Sequence, residues 1–263
     1  MRIDLQKSQT HRDRYPDTKG DGKTKHVVVI IASLIYRHNN LTAIVHNNSL
    51  VLIYQKFTEN GKYNYIPKIK GVEFAMVNYN WRVSNITSVT ENDVWNLIDE
   101  VDAITDMDDR IALIWISHGF YDSDNKIGAL GLYNHYIDDQ NRLNGDYIDS
   151  YELAKIISIL GPALDFTWFI ACGSDYVVMP DPSNPSYQHP IWELADVAAV
   201  TYTYTDKIVF SPLQSISDTD RQISDFVTYA FDGNQALKKL FSKVRIDTKK
   251  KTIGKFGLGM TFI

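Results

Sequence analysis

A single cysteine, Cys172, stands among 263 residues, so the chain cannot close a disulfide on itself and has no CxxC pair to hold zinc or cycle between redox states. Such cysteine usage points to a reducing compartment, and a cytoplasmic protein is the expectation. Positive charge is not in excess either: 27 Lys and Arg against 32 Asp and Glu leave a net charge of −5. The basic footprint of a general nucleic-acid binder is therefore missing, and no nucleic-acid partner is expected. The longest apolar run, Val27 to Tyr36, is about half of what a bilayer span needs, so no membrane partner is expected. Residues 1–26 are polar and hold no apolar segment of secretory-signal length. They read as a flexible or surface-hugging arm, followed by one domain over 27–263.

Motifs for several chemistries fail as well. HExxH, EF-hand and GxSxG patterns do not occur. Gly20-Asp21-Gly22-Lys23-Thr24 ends like a phosphate loop, but Asp17 occupies the position of its first glycine and no strand precedes it. Asp106, Asp108 and Asp109, and Asp122 with Asp124, read as surface acids rather than a calcium site. No cofactor and no metal are expected.

What the chain does contain is a series of short apolar runs alternating with helical patterns. Val27 to Ile31 is a β-branched run suited to a strand buried on both faces. Leu41–Val45 and Leu50–Tyr54, separated by His46-Asn47-Asn48-Ser49, read as a hairpin whose asparagines take up the turn. Val72–Val77 reads as a strand. Thr90-Glu91-Asn92-Asp93 offers a capping box to a helix carrying Val94, Leu97, Ile98 and Val101 on one face. The strand Ile111–Ile116 is expected to stop at Ser117-His118-Gly119 and give way to a polar loop. Asp149 and Glu152 cap a helix bearing Leu153, Ile156, Ile157 and Leu160, with Gly161 and Pro162 as its stop. Phe166–Ile170 is the next strand, followed by a proline-rich loop at 180–190, a strand at Ala198–Tyr204 and two helices around Ile223–Ala230 and Asn234–Val244. The alternation predicts an α/β fold, a three-layer sandwich with a mostly parallel central sheet and an N-terminal β-hairpin elaboration.

In open α/β sheets the chemistry gathers outside the carboxyl ends of the strands. Two strands here end on reactive residues: His118-Gly119 after one, Ala171-Cys172-Gly173 after the other, 54 residues apart from His to Cys. If the strands are neighbours, a thiol and an imidazole reach one edge of the sheet, which nucleophilic catalysis requires. Gly119 would allow a sharp turn that brings an N–H close to a substrate carbonyl, and the Cys172 N–H would be a second oxyanion donor.

Ile114-Trp115-Ile116-Ser117-His118-Gly119 and Trp168-Phe169-Ile170-Ala171-Cys172-Gly173-Ser174 resemble the corresponding segments of the caspase-like cysteine peptidases, the group that includes caspases, metacaspases, legumain, gingipain, clostripain and separase. The likeness spans about residues 72–245 and is strongest over 111–175. It implies a cysteine endopeptidase acting on protein or peptide substrates, with His118 and Cys172 as the dyad and Gly119 and Cys172 forming the oxyanion hole. The caspase pentapeptide has Gln at the position of Ile170 and Gly at that of Ser174, so the chain departs from caspases proper. No arginine pair for an acidic substrate residue is recognisable. Asp175 and Asp206, with Tyr202 and Tyr204, would form the substrate pocket, the acids facing Arg or Lys; the same four residues also read as solvated loop acids and strand tyrosines. Exposed sheet edges leave a homodimer open. Two rivals stand beside the peptidase: a catalytically silent caspase-like scaffold, and an α/β binding protein with coincidental His-Gly and Cys-Gly turns.

Overall fold

A computed structural model describes residues 20–38, 47–59, 64–122, 127–140, 142–160, 163–172, 206–210 and 252–253. In chain order the elements are β1 (His26–Ala32), α1 (Asn47–Thr58), β2 (Ile66–Lys70), β3 (Val72–Val77), β4 (Asn80–Ile86) and α2 (Glu91–Ile104). There follow β5 (Arg110–Asp122), β6 (Ile127–Gly131), β7 (Tyr136–Ile137), β8 (Leu143–Asn144) and β9 (Tyr147–Asp149). The series closes with α3 (Ser150–Leu160), β10 (Leu164–Cys172), β11 (Asp206–Phe210) and β12 (Thr252–Ile253).

Eight strands form one sheet with the order β12-β11-β10-β5-β1-β2, extended by β6 and β9 from the far half of β5. Four pairings, β2 with β1, β1 with β5, β5 with β10 and β10 with β11, are parallel. Three, β11 with β12, β5 with β6 and β6 with β9, are antiparallel. The run β11-β10-β5-β1-β2 is parallel throughout, while antiparallel neighbours enter at β12 on one edge and at β6 and β9, which β5 picks up as it runs past the central sheet, so the whole is mixed rather than clearly mostly parallel. The β2 edge carries Pro67, Lys68 and Lys70, residues that discourage pairing with a further strand.

Strand parity decides which face of the sheet each core residue packs on. Val27, Val29 and Ile31 of β1 and Ile111, Leu113 and Trp115 of β5 pack with Val94, Leu97, Ile98 and Val101 of α2 and Leu153, Ile156, Ile157 and Leu160 of α3. The alternate residues Val28, Ile30, Ile114 and Ile116 are also fully buried, so these strands are covered on both faces. Both expected caps form, because each is a local contest that the side chain wins. Thr90 Oγ1 accepts the Asp93 N–H at 3.3 Å while Asp93 Oδ2 accepts the Thr90 N–H at 3.0 Å. At α3, Asp149 Oδ1 accepts the Glu152 N–H at 2.8 Å and Glu152 Oε2 accepts the Asp149 N–H at 3.1 Å.

The second cap has a pH consequence. Burial first, and then the neighbouring Asp149 charge, raise the Glu152 carboxyl to about 8. The folded state thus keeps a proton that the unfolded chain releases near its ordinary value, so this group's stabilising contribution is complete at acid pH and falls away as pH rises towards 8. Glu152→Gln keeps an acceptor for the Asp149 N–H without the charge. Its melting temperature is expected to exceed the parent's by a few degrees at pH 8 and to converge with it towards pH 5. Parallel melting curves across that range would contradict the assignment.

The expected hairpin is corrected in its second half, Leu50–Tyr54, which lies in α1. Leu50, Ile53 and Phe57 are buried at 0–1% exposure, a 3.6-residue period that a strand cannot satisfy. Asn47, Asn48 and Ser49 open the helix instead of turning a hairpin, and Lys56 sits in its last turn, where a cation suits the dipole. The first half, Leu41–Val45, lies outside the described residues, as do the 180–190 loop, the Ala198–Tyr204 strand and both C-terminal helices. A hairpin does occur, further along: β3 pairs with β4 through a turn at Asn78 and Tyr79, both with positive φ.

Residues 20–25, the end of the expected arm, are held against the body. The Lys25 N–H donates to Asp109 Oδ1 at 2.6 Å and its Nζ to Oδ2 at 3.3 Å, with the Asp109 carboxylate fully buried. Among the described residues, no helix is long and apolar enough to cross a membrane.

Candidate active site

Strand β5 lies between β1 and β10, and its pairing with β10 runs from Leu164↔Ile111 to Cys172↔His118. His118 and Cys172 are therefore register partners at the carboxyl ends of two adjacent parallel strands, with backbones one strand spacing, about 4.8 Å, apart. A bulge makes this so. The register shifts by one residue between Leu164 and Phe166; continued without that shift, Leu164↔Ile111 would bring Cys172 opposite Gly119. One extra residue, Asp165, thus decides which residue of β5 the cysteine meets.

The expected polar loop after Ile116 is a correction. β5 continues through Ser117, His118 and Gly119 to Asp122, because at Gly119 it exchanges parallel partners for antiparallel β6, with Gly119↔Leu130 in register. Gly119 is buried and extended rather than the apex of a turn. Asp122 pairs with Ile127 inside the strand, and Asp124 lies outside the described residues.

Tyr36 and His135, which the sequence reading does not single out, lie close to His118. The His118 N–H donates to the Tyr36 hydroxyl at 2.9 Å, and the Tyr36 ring lies 5.0 Å from the imidazole at 46°. Tyr36 belongs to the segment leaving β1, which is fastened again when the Arg37 N–H donates to the Tyr133 carbonyl at 2.8 Å and His38 packs on Tyr136 at 4.6 Å. His135 is fully buried and meets Tyr147 edge-on at 5.9 Å. Burial, then the proximity of His118 and His38, push its imidazole down to about 3 against a backbone hydrogen bond at Asn144, so it is a neutral ring at any physiological pH. A sequence signal existed for Tyr36: it closes the apolar run that forms β1, at the strand end where sheet ligands gather.

The remaining pocket candidates divide. Asp206 opens β11 opposite Phe166, six positions before Cys172 along β10, or about 20 Å away at strand rise. It stands at the other end of the sheet and drops out of the site. Asp175, Tyr202 and Tyr204 lie outside the described residues.

Asp21, Asp106 and Asp108 bring carboxylate oxygens within 4.8 Å of one another. Asp106 Oδ2 accepts the Asp21 N–H and Asp108 Oδ2 the Gly22 N–H, which explains the grouping as a clamp on the arm. It sits beside Arg110, at the amino end of β5 and away from His118. Asp109, expected among the acids of this stretch, is instead the partner of Lys25.

No protein-family model matches the chain, and no curated protein matches it in sequence. Among solved structures, the fold is similar to that of the Drosophila initiator caspase Dronc, with a TM-score of 0.51 and 12% sequence identity over 91% of this chain and 86% of that one. The chain is a remote, low-identity structural match to a caspase, and the likeness is one of fold.

Proposed function

We propose that the protein is a cysteine endopeptidase, with residues 27–263 as one caspase-like domain and Cys172 and His118 as its dyad. The observation that carries this reading is the register pairing of these two residues at the carboxyl edge of β5 and β10. Register partners on neighbouring strands stand on one face of a sheet, the arrangement a shared proton needs.

The reaction proceeds by acyl transfer. The Cys172 thiol loses its proton to the His118 imidazole, and the thiolate sulfur attacks the scissile carbonyl of an extended peptide. The oxyanion that forms is met by the N–H groups of Gly119 and Cys172. His118 returns the proton to the departing amine as the C–N bond breaks, leaving a thioester on Cys172. A water, deprotonated by His118, then releases the carboxylic acid. Asp175, Tyr202 and Tyr204 are proposed to line the pocket for the residue before the scissile bond, with Asp175 favouring Arg or Lys.

Hydrolysis of a panel of peptides bearing Arg, Lys, Asn or Asp before the cleavable bond tests the reading, with Cys172→Ala as the control. Turnover that disappears in the variant is expected. No turnover on any peptide, with a folded protein, would favour the silent scaffold.

A further inference from the structure

We infer that the Tyr36 hydroxyl is a wedge in the β1–β5 ladder that positions His118, a role that rests on the dyad reading above. In a parallel pair the bonds alternate regularly from one strand to the other. The last regular bond between these strands runs from the Ser33 N–H to the Ile116 carbonyl at 2.8 Å, one residue past the Ala32↔Ile116 pair. The next would run from the His118 N–H to the Ser33 carbonyl. Instead the His118 N–H donates to the Tyr36 hydroxyl at 2.9 Å, and that hydroxyl donates to the Ser33 carbonyl at 2.9 Å. One hydroxyl group has been inserted into a single ladder bond, with both backbone groups still satisfied.

The insertion has a definite geometric result. β1 and β5 are splayed by one oxygen atom at His118, on the side opposite Cys172, whose backbone remains in register with His118 on β10. The sheet is thus opened on one side of the histidine and closed on the other. The same side chain lays its ring 5.0 Å from the imidazole, so backbone and ring of His118 are both set by Tyr36. Tyr36 is itself held by the Arg37 N–H to Tyr133 bond and by His38 on Tyr136. A free loop tyrosine could not serve as a spacer; this one is fixed on both sides. Tyr36 is accordingly a positioning residue that acts through His118.

Tyr36→Phe isolates the hydroxyl, since the ring stays. The wild type, Tyr36→Phe and His118→Ala are compared by peptide hydrolysis, by hydrogen exchange of the His118 amide and by the His118 imidazole NMR resonances, with circular dichroism and melting to establish folding. In Tyr36→Phe, kcat is expected to fall about tenfold or more while KM changes by less than about threefold. The His118 amide is expected to lose at least about tenfold in exchange protection and the imidazole resonances to move. A folded Tyr36→Phe whose kcat, amide exchange and imidazole resonances match the wild type overturns the wedge. Hydrolysis in His118→Ala that stays within about threefold of the wild type overturns the dyad, and is told apart by the amide and imidazole readouts, which report on Tyr36 whether or not the protein turns over.

Discussion

Cys172→Ala is expected to reduce kcat for peptide hydrolysis at least about 10⁴-fold, because it removes the only atom in the chain able to form the thioester. His118→Ala is expected to cost less, about 10²–10⁴-fold, since a fraction of thiolate persists without the imidazole and the oxyanion donors are untouched. The two losses should not add. A double variant is expected to be no worse than Cys172→Ala alone, as for any groups that act as one unit. The His118 variant should fold, since among the described residues His118 lies outside the buried cluster built around α2 and α3. Hydrolysis retained in Cys172→Ala would remove the cysteine from the mechanism.

Gly71→Ala is expected to be strongly destabilising. Gly71 joins β2 to β3 with φ near +90°, where an L side chain is strained, and its carbonyl accepts the Thr87 N–H at 2.9 Å. A Cβ there would lie 1.9 Å from the Ala32 carbonyl oxygen and 2.7 Å from Val89 Cγ2. The first of these is backbone at the end of β1, between two strands that bind it, and cannot yield as a side chain does. A loss of about 3 kcal/mol or more follows, or about 10 °C in melting temperature. Ala32 immediately precedes Ser33, so catalysis should suffer along with stability in this variant. A melting temperature within about 1 °C of the parent would show that the β2–β3 corner is looser than its geometry implies.

The parts of this fold that could be read from the chain are those decided within a few residues. β1, the apolar portions of β5 and β10, and the caps at Thr90 and Asp149 all follow from local chemistry: β-branched runs, or a side chain competing for a nearby N–H. Leu50–Phe57 was equally legible in principle, but the asparagines before it suit a turn and a helix start alike, and only the period separates the two. β11 was missed because Asp206 and Lys207 at its start resemble a loop, while its partner, β10, lies some 40 residues upstream.

The site divides in the same way. His118 and Cys172 could be found because each closes an apolar strand. Their pairing could not, since it depends on one extra residue near Asp165 and on β5 standing next to β10. Tyr36 is separated from His118 by 82 positions, and nothing near either residue announces the bond. Asp206 was misplaced for a related reason: strand ends can be guessed from composition, but which end of the sheet a loop occupies depends on where the strand begins.

The most direct test of the dyad is the rate of Cys172 alkylation by iodoacetamide between pH 5 and 9, in the wild type and in His118→Ala. With one thiol in the chain, the label reports a single site. The account predicts rapid labelling in the wild type that extends below the ordinary thiol range, near 8.5, and a profile displaced upward and slowed in His118→Ala. Identical profiles in the two proteins would contradict any coupling between the imidazole and the sulfur, and with it the proposed peptidase.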